Sequence, residues 1–343
     1  MMNKTMNFIV DLRMRHRKQF LSMTFILSLI VCMLSVAMLM IGNTIYPVSD
    51  VVRVLMGEDI KGATFAIETI RLPRLFAGLF AGFAFGAGGY VFQTMLRNPL
   101  ANPNVIGITA GSSAAAVFCI IVWQASNTVV SIASIVGGLA TVLLIFGLAK
   151  GASFSIGRLI LIGIGIQAML SAVISYLMLI GNTHDIPTAM RWISGSLNGA
   201  KMSNLSPLLF TVILFVPIMM YFGKGLKILE LGEQAALSLG VHTNRTRLVL
   251  IVSAVMMIAV ATATTGPIAF VAFLSGPIAN RFVGTSYSNI IPSGLVGAIL
   301  VLGADLIGQY AFAVRYPVGV ITGIVGAPYL IYLLIRINRK GKL

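Results

Sequence analysis

Residues 71–112 read RLPRLFAGLFAGFAFGAGGYVFQTMLRNPLANPNVIGITAGS. From Leu75 to Leu96 this stretch contains no Asp, Glu, Lys or Arg. A bilayer core of about 30 Å is crossed by about 20 apolar residues of helix, so the run is long enough for one passage. Gly78, Gly82 and Gly86 recur every fourth residue. That spacing puts them on one helix face, where small residues let a second helix approach closely in lipid. Arg97, Asn98 and Pro99, followed by Pro103, then form a tight break before a second apolar run begins. The segment therefore predicts a packed hairpin of membrane helices.

The rest of the chain agrees. Only 10% of its 343 residues are charged and 58% are hydrophobic, whereas a soluble domain carries roughly a quarter charged residues. Charge-free stretches cover 19–49, 75–96, 98–149, 159–184, 202–223, 248–280, 282–304 and 316–335. The third breaks at Gln124-Ala125-Ser126-Asn127-Thr128 and the sixth at Gly266-Pro267. Ten spans follow, at about 20–42, 73–95, 104–123, 129–149, 157–180, 205–223, 246–265, 267–281, 290–311 and 317–336. A membrane β-barrel is excluded, because its strands alternate apolar and polar residues. The prediction is one all-α integral membrane domain over 1–343, with no linker dividing it. The first apolar stretch is too long for a signal peptide and lacks a small-residue cleavage site, so it reads as a retained helix. Cys32 and Cys119 fall on spans without disulfide or metal-ligand spacing.

The formal charge of +15 raises nucleic-acid binding, but the distribution argues against it. With the N-terminus inside and each span reversing direction, seventeen of the 24 Lys and Arg residues fall in the cytoplasm. The seven outside are Arg53, Lys61, Arg71, Arg74, Arg191, Lys201 and Arg315. The positive-inside rule accounts for this bias. It puts both termini in the cytoplasm, with residues 1–19 as a basic tail. The first outer loop, 43–70, suits short amphipathic helices.

The largest polar interruption, 224–247, lies on the cytoplasmic side between spans six and seven. Leu226, Ile228, Leu229, Leu231, Ala235, Ala236, Leu237 and Leu239 alternate with polar residues there, which predicts two short amphipathic helices divided by Gly232 and closed by Gly240. Spans two to five begin outside and spans seven to ten begin inside, so the two blocks of four are related by inverted topology.

The pattern R-L-P-R, a glycine-rich span and then Q-x-x-x-R-N-P-L-A-x-P-x-x-x-G resembles the FecCD-type permeases of ATP-binding-cassette importers for iron–siderophores, haem and cobalamin. The similarity continues through Leu231-Gly-Glu-Gln-Ala-Ala-Leu-Ser-Leu-Gly-Val241, Gly266-Pro-Ile-Ala-Phe-Val, Gly276-Pro-Ile-Ala-Asn-Arg281, Asp305, Pro317-Val-Gly and Gly326-Ala-Pro328. The resemblance implies ten helices and two permease copies, identical or paralogous, in each complex. It also implies two cytoplasmic ATPases and an external binding protein that delivers the ligand. Leu231, Gly232, Glu233, Ala236, Leu239 and Gly240 then match the coupling helices that dock on the ATPase. Arg71 and Arg74 resemble the outer arginines that bind acidic residues of the binding protein. Exposed guanidiniums suit carboxylates, and rim charges steer encounter and fix register. Lipid-headgroup anchoring or capping is the alternative for both.

Two positions depart from the family pattern. Many relatives carry Glu before the proline at 317, where this chain has Arg315-Tyr316, a third candidate docking arginine or an altered outer gate. The usual Pro-His-x-x-Arg is Pro277-Ile-Ala-Asn-Arg281, without the His. Asp305 is the only acidic residue expected inside a span, a functional candidate by default, and the favoured reading is structural. Gly163-Ile-Gly165-Ile-Gln-Ala168 lies in an apolar helix rather than a strand–turn–helix, so it is no dinucleotide fingerprint. The sequence has no G-x-x-x-x-G-K-[ST], and His16, His184 and His242 all lie outside the spans. No catalytic, cofactor or metal site is expected.

Three functions were weighed on this basis. An importer permease of the bacterial inner membrane fits best. An ion-coupled secondary transporter would need more intramembrane carboxylates than Asp305, and a membrane enzyme would need a catalytic constellation. A ferric siderophore is the favoured cargo, with the context of Tyr316-Pro317 pointing to the catecholate branch. Haem and cobalamin remain alternatives.

Overall fold

A computed structural model describes residues 2–102, 104, 107–149 and 156–340. Pro103 and Lys150 lie outside the described residues. Among those described, every regular element is helical. The chain runs through α1 (Met2–Met40), α2 (Val48–Leu55), a π-helical turn (Phe65–Arg71), α3 (Leu72–Met95), α4 (Ile108–Ile121), α5 (Asn127–Ala149) and α6 (Ile156–Ile180). It continues through α7 (Ile186–Ser194), α8 (Ser206–Glu230), α9 (Glu233–Ser238), α10 (Thr243–Thr265), α11 (Val271–Val283), α12 (Ile290–Tyr310) and α13 (Val318–Lys340). Gln19 on α1 donates to the Phe282 carbonyl at 3.3 Å and Arg281 reaches Tyr332 on α13 at 3.2 Å. The first and last helices thus enter the bundle at one end, here termed basal; the opposite end is apical.

The glycine spacing of the opening motif sets the centre of the bundle. α3 packs on α8, α10, α11 and α12. A Cβ on Gly82 would lie 2.7 Å from the Gly297 carbonyl oxygen of α12. On Gly86 it would strike the Ser293 carbonyl, and on Gly89 that of Ala272. Three backbone approaches along one helix leave no side chain able to yield. Gly86→Ala and Gly89→Ala should each lower stability by about 1–3 kcal/mol through overpacking. Gly303→Ala and Gly323→Ala meet nothing within 4 Å and should leave the melting temperature of the detergent-purified chain unchanged. Equal melting temperatures for all four variants would contradict this packing.

The inverted blocks appear in the contacts. α3 packs on α12, and α10, the counterpart of α3, packs on α5, the counterpart of α12. The second helix of each block is short: α4 has 14 residues and α11 has 13. At 1.5 Å per residue each reaches about 20 Å, less than a bilayer core. Each starts after a left-handed residue, Gly107 at φ 74° and Phe270 at φ 63°. The span expected at 267–281 starts later, at Val271, because residues 267–270 are non-helical, and the helix described within 104–123 is Ile108–Ile121. Eight other helices are long and apolar enough to cross a membrane.

Three further expectations change. The projection after residue 223 was read as two short helices, but α8 runs unbroken to Glu230 and only α9 is separate. Gly223 and Gly225 do not stop a helix already nucleated, whereas Gly232, at φ 122°, adopts a backbone that ends it. Pro277, one of the family-motif prolines and a candidate helix break, sits inside a continuous α11. Proline removes the N–H that would bond the carbonyl four residues earlier, and Gln93 replaces it by donating to the Phe273 carbonyl at 2.8 Å. The apical helix α7, absent from the sequence reading, is a short amphipathic segment between α6 and α8.

Candidate functional site: two ends of one helix

Apical chemistry gathers where α3 begins. Arg71, expected as an exposed guanidinium, is 8% exposed. Its Nη1 donates to the carbonyls of Leu39 (2.7 Å) and Met40 (2.8 Å), its Nη2 to that of Thr44 (2.7 Å), and its charge lies 4.9 Å from the Tyr46 ring centroid. The last carbonyls of a helix have no intrahelical partner and attract cations. Arg71 therefore closes α1, which corrects the expectation of exposure.

Arg74 faces Asp305 of α12. Its Nε and Nη2 each donate to one carboxylate oxygen at 2.6 Å, and its Nη1 reaches Asn198 Oδ1 at 2.6 Å. Asp305 is 2% exposed and the Arg74 side chain 15%. The only acidic residue expected in a span is thus held in a bidentate ion pair, the geometry that best offsets the desolvation of both charges. Arg315 is exposed and donates to Asn43 Oδ1 at 2.6 Å.

These groups line a cleft of about 200 Å³ with Gly42, Tyr46, Gln309 and Tyr310. Three guanidiniums face one carboxylate there, so the cleft is positive. Gln309 lines the cleft, is 6% exposed, and its Nε2 finds no acceptor among the described residues. Sequence reading missed Gln309, Asn198 and Asn43. For Gln309 a signal existed: it lies four residues after Asp305, on the same helix face. The two asparagines sit in loops and carried none.

The basal end presents a different surface. α8 ends at Glu230 with Leu226 and Leu229 still buried, Gly232 turns the chain, and α9 follows. Ala236 is fully buried and anchors α9. Val241 donates to the Ala236 carbonyl (2.9 Å) and Gly240, at φ 78°, to that of Leu237 (2.9 Å), the paired bonds of a Schellman cap. Glu233 meets Arg247 of α10 at 3.4 Å, and Lys227 meets Glu230 at 3.0 Å. With its backbone fixed in this way, the projection exposes Leu231 (70%), Leu237 (56%) and Leu239 (62%).

The break motif lies close by. Arg97 and Asn98 end α3, and Arg97 Nη2 donates to the Leu229 carbonyl of α8 at 2.8 Å. Asn98 Oδ1 accepts from Leu100 N at 2.9 Å across Pro99. Gly266, at φ 71°, ends α10, and Pro317 precedes α13. Among the described residues no group of three or more His, Cys, Asp or Glu side chains could hold a metal ion.

Comparison with known proteins agrees with this architecture. The model of the FecCD transport family matches residues 27–336. The ferric enterobactin transport system permease protein of Escherichia coli is 37% identical over 87% of this chain and 91% of its own length. The iron(3+)-hydroxamate import system permease protein of Bacillus subtilis is 32% identical over 83% of this chain and 88% of its own. A solved inward-facing structure of a metal-chelate type ABC transporter superposes with a TM-score of 0.80 at 27% identity, covering 92% of this chain and 99% of that one. On these matches the chain belongs to the FecCD transport family.

Proposed function

We propose that this chain is the membrane-spanning subunit of an ATP-driven importer that carries a ferric siderophore across the bacterial inner membrane. The observation that carries the reading is the basal projection: Leu231, Leu237 and Leu239 exposed on a rigid, capped segment outside the apolar bundle. Apolar side chains fixed in water mark a docking surface. The positive-inside bias puts this end, both termini and residues 224–244 in the cytoplasm, where a pair of ATPases binds. The chain hydrolyses no ATP itself. At the opposite, extracytoplasmic end Arg315, the exposed guanidinium of the cleft, receives an acidic residue of a substrate-binding protein.

A second permease copy, identical or paralogous, completes the pathway. Only 11% of the most apolar stretch of α6 is buried within the chain. One strip of this helix carries Gln167, Ser171 and Ser175 at four-residue spacing. Ser175 bonds the Ser171 carbonyl within the helix at 3.0 Å, but an amide such as that of Gln167 is costly to leave against lipid, and a facing subunit with a passage between the two copies accommodates it.

Deletion of the gene, followed by radio-iron uptake from a chelate panel, tests the cargo. Uptake from a ferric tricatecholate should be lost while uptake from ferric citrate and hydroxamates persists. Loss of haem or cobalamin uptake alone would overturn the siderophore reading. Arg315 gives the cleanest test of the apical dock, since among the described residues it makes no ion pair that reversal would break. Arg315→Glu should weaken binding-protein affinity about tenfold, roughly 1.4 kcal/mol, with no change in melting temperature. Unchanged affinity would remove Arg315 from the dock.

A further inference from the structure

α3 ends in a Schellman cap. Arg97 N donates to the Thr94 carbonyl at 3.2 Å and Asn98 N to that of Gln93 at 3.0 Å. The residue between cap and exit, Arg97, holds φ 49°. Glycine ordinarily takes this place, because a Cβ in the left-handed region costs free energy. The strain is offset by a specific contact. The same residue sends its guanidinium to the Leu229 carbonyl at 2.8 Å, partly buried and 132 residues away in sequence. Leu229 lies in the last turn of α8, where its carbonyl also accepts from Gly232 N at 3.2 Å and the helix terminus favours a cation. One turn further on, the chain enters the exposed projection.

Around this contact α3 is held along its whole length. Arg74 ties its apical end to Asp305, glycines seat it on α12 and α11, and Gln93 bonds the freed Phe273 carbonyl of α11. Arg97 thus adds a polar link between the last turn of α8 and the base of α3 to the direct packing of the two helices.

We propose that Arg97 is the positioning residue that transmits movement of the projection to the α3–α4 turn. The idea rests on the reading of the projection as the ATPase dock. The test uses the complete complex in liposomes with binding protein, and compares wild type, Arg97→Gly and Arg97→Lys. Glycine fits the left-handed backbone and deletes the guanidinium; lysine keeps a donor. Arg97→Gly should match or exceed the wild-type melting temperature and keep ATP hydrolysis within about twofold, yet import at least tenfold less cargo per ATP. Arg97→Lys should restore much of that ratio. A residue that served only as a cap would be improved by glycine and would leave the ratio untouched, which would overturn the proposal. So would a fall in melting temperature, hydrolysis and uptake in equal proportion. If wild-type complexes hold no ATPase, the docking reading fails as well; if they do and the Arg97→Gly ratio is normal, only the role of Arg97 falls.

Discussion

Replacing Leu231 and Leu239 together by Asp should leave the bundle folded and abolish capture of the ATPase. Both side chains are largely exposed, Leu231 at 70% and Leu239 at 62%, so their removal takes no contact from the core. Ala236 anchors α9, and Gly232 and Gly240 set the backbone on either side. The double substitution keeps all three. Apolar anchors at the centre of an interface commonly carry 2 kcal/mol or more each. Two such losses, with carboxylates placed against an apolar seat, should reduce affinity by at least about a hundredfold. Copurification of the ATPase and cargo uptake should be lost together, while the melting temperature and binding-protein affinity stay at wild-type values. Normal ATPase stoichiometry in the double variant would show that these leucines face something else.

The second large effect belongs to Asp305. Asp305→Ala leaves the Arg74 guanidinium, only 15% exposed, without its bidentate partner. Breaking a buried ion pair from one side costs about 3–5 kcal/mol, because the surviving charge stays desolvated. The contact joins the start of α3 to the end of α12, so the loss should appear as a lower melting temperature and poor membrane abundance. Arg74→Gln combined with Asp305→Asn removes both charges and should recover part of that stability. The comparison also separates a structural carboxylate from an ion-coupling one. Asp305→Asn with full stability and no uptake would mean that Asp305 carries a proton or cation during transport.

How far the chain could be read beforehand followed physical lines. Helix number and polarity were legible because an uncharged run of bilayer length has few other uses. The central packing of α3 was legible because four-residue glycine spacing has one geometric meaning in lipid. The short α11 was legible from the break at Gly266-Pro267, whereas the left-handed backbone at Gly107 and Phe270 that opens α4 and α11 was not. The burial of Arg71 was hidden as well. Its partners are the backbone carbonyls of Leu39, Met40 and Thr44, and a carbonyl has no letter in the sequence. The same holds for Pro277, where the break in hydrogen bonding is real but Gln93 repairs it from another helix. At the projection, Gly232 and Gly240 were recognised as turns, whereas the continuity of α8 through Gly223 and Gly225 depended on packing against α10.

The proposed drive of this permease is a separate ATPase docked on the basal projection. Its most direct measurement is cargo uptake into liposomes holding the purified complex, with ATP enclosed and binding protein outside, in the absence of any ion gradient. Accumulation that stops with vanadate and with the Leu231→Asp/Leu239→Asp variant is the predicted result. Accumulation that follows a proton or sodium gradient without nucleotide would contradict it.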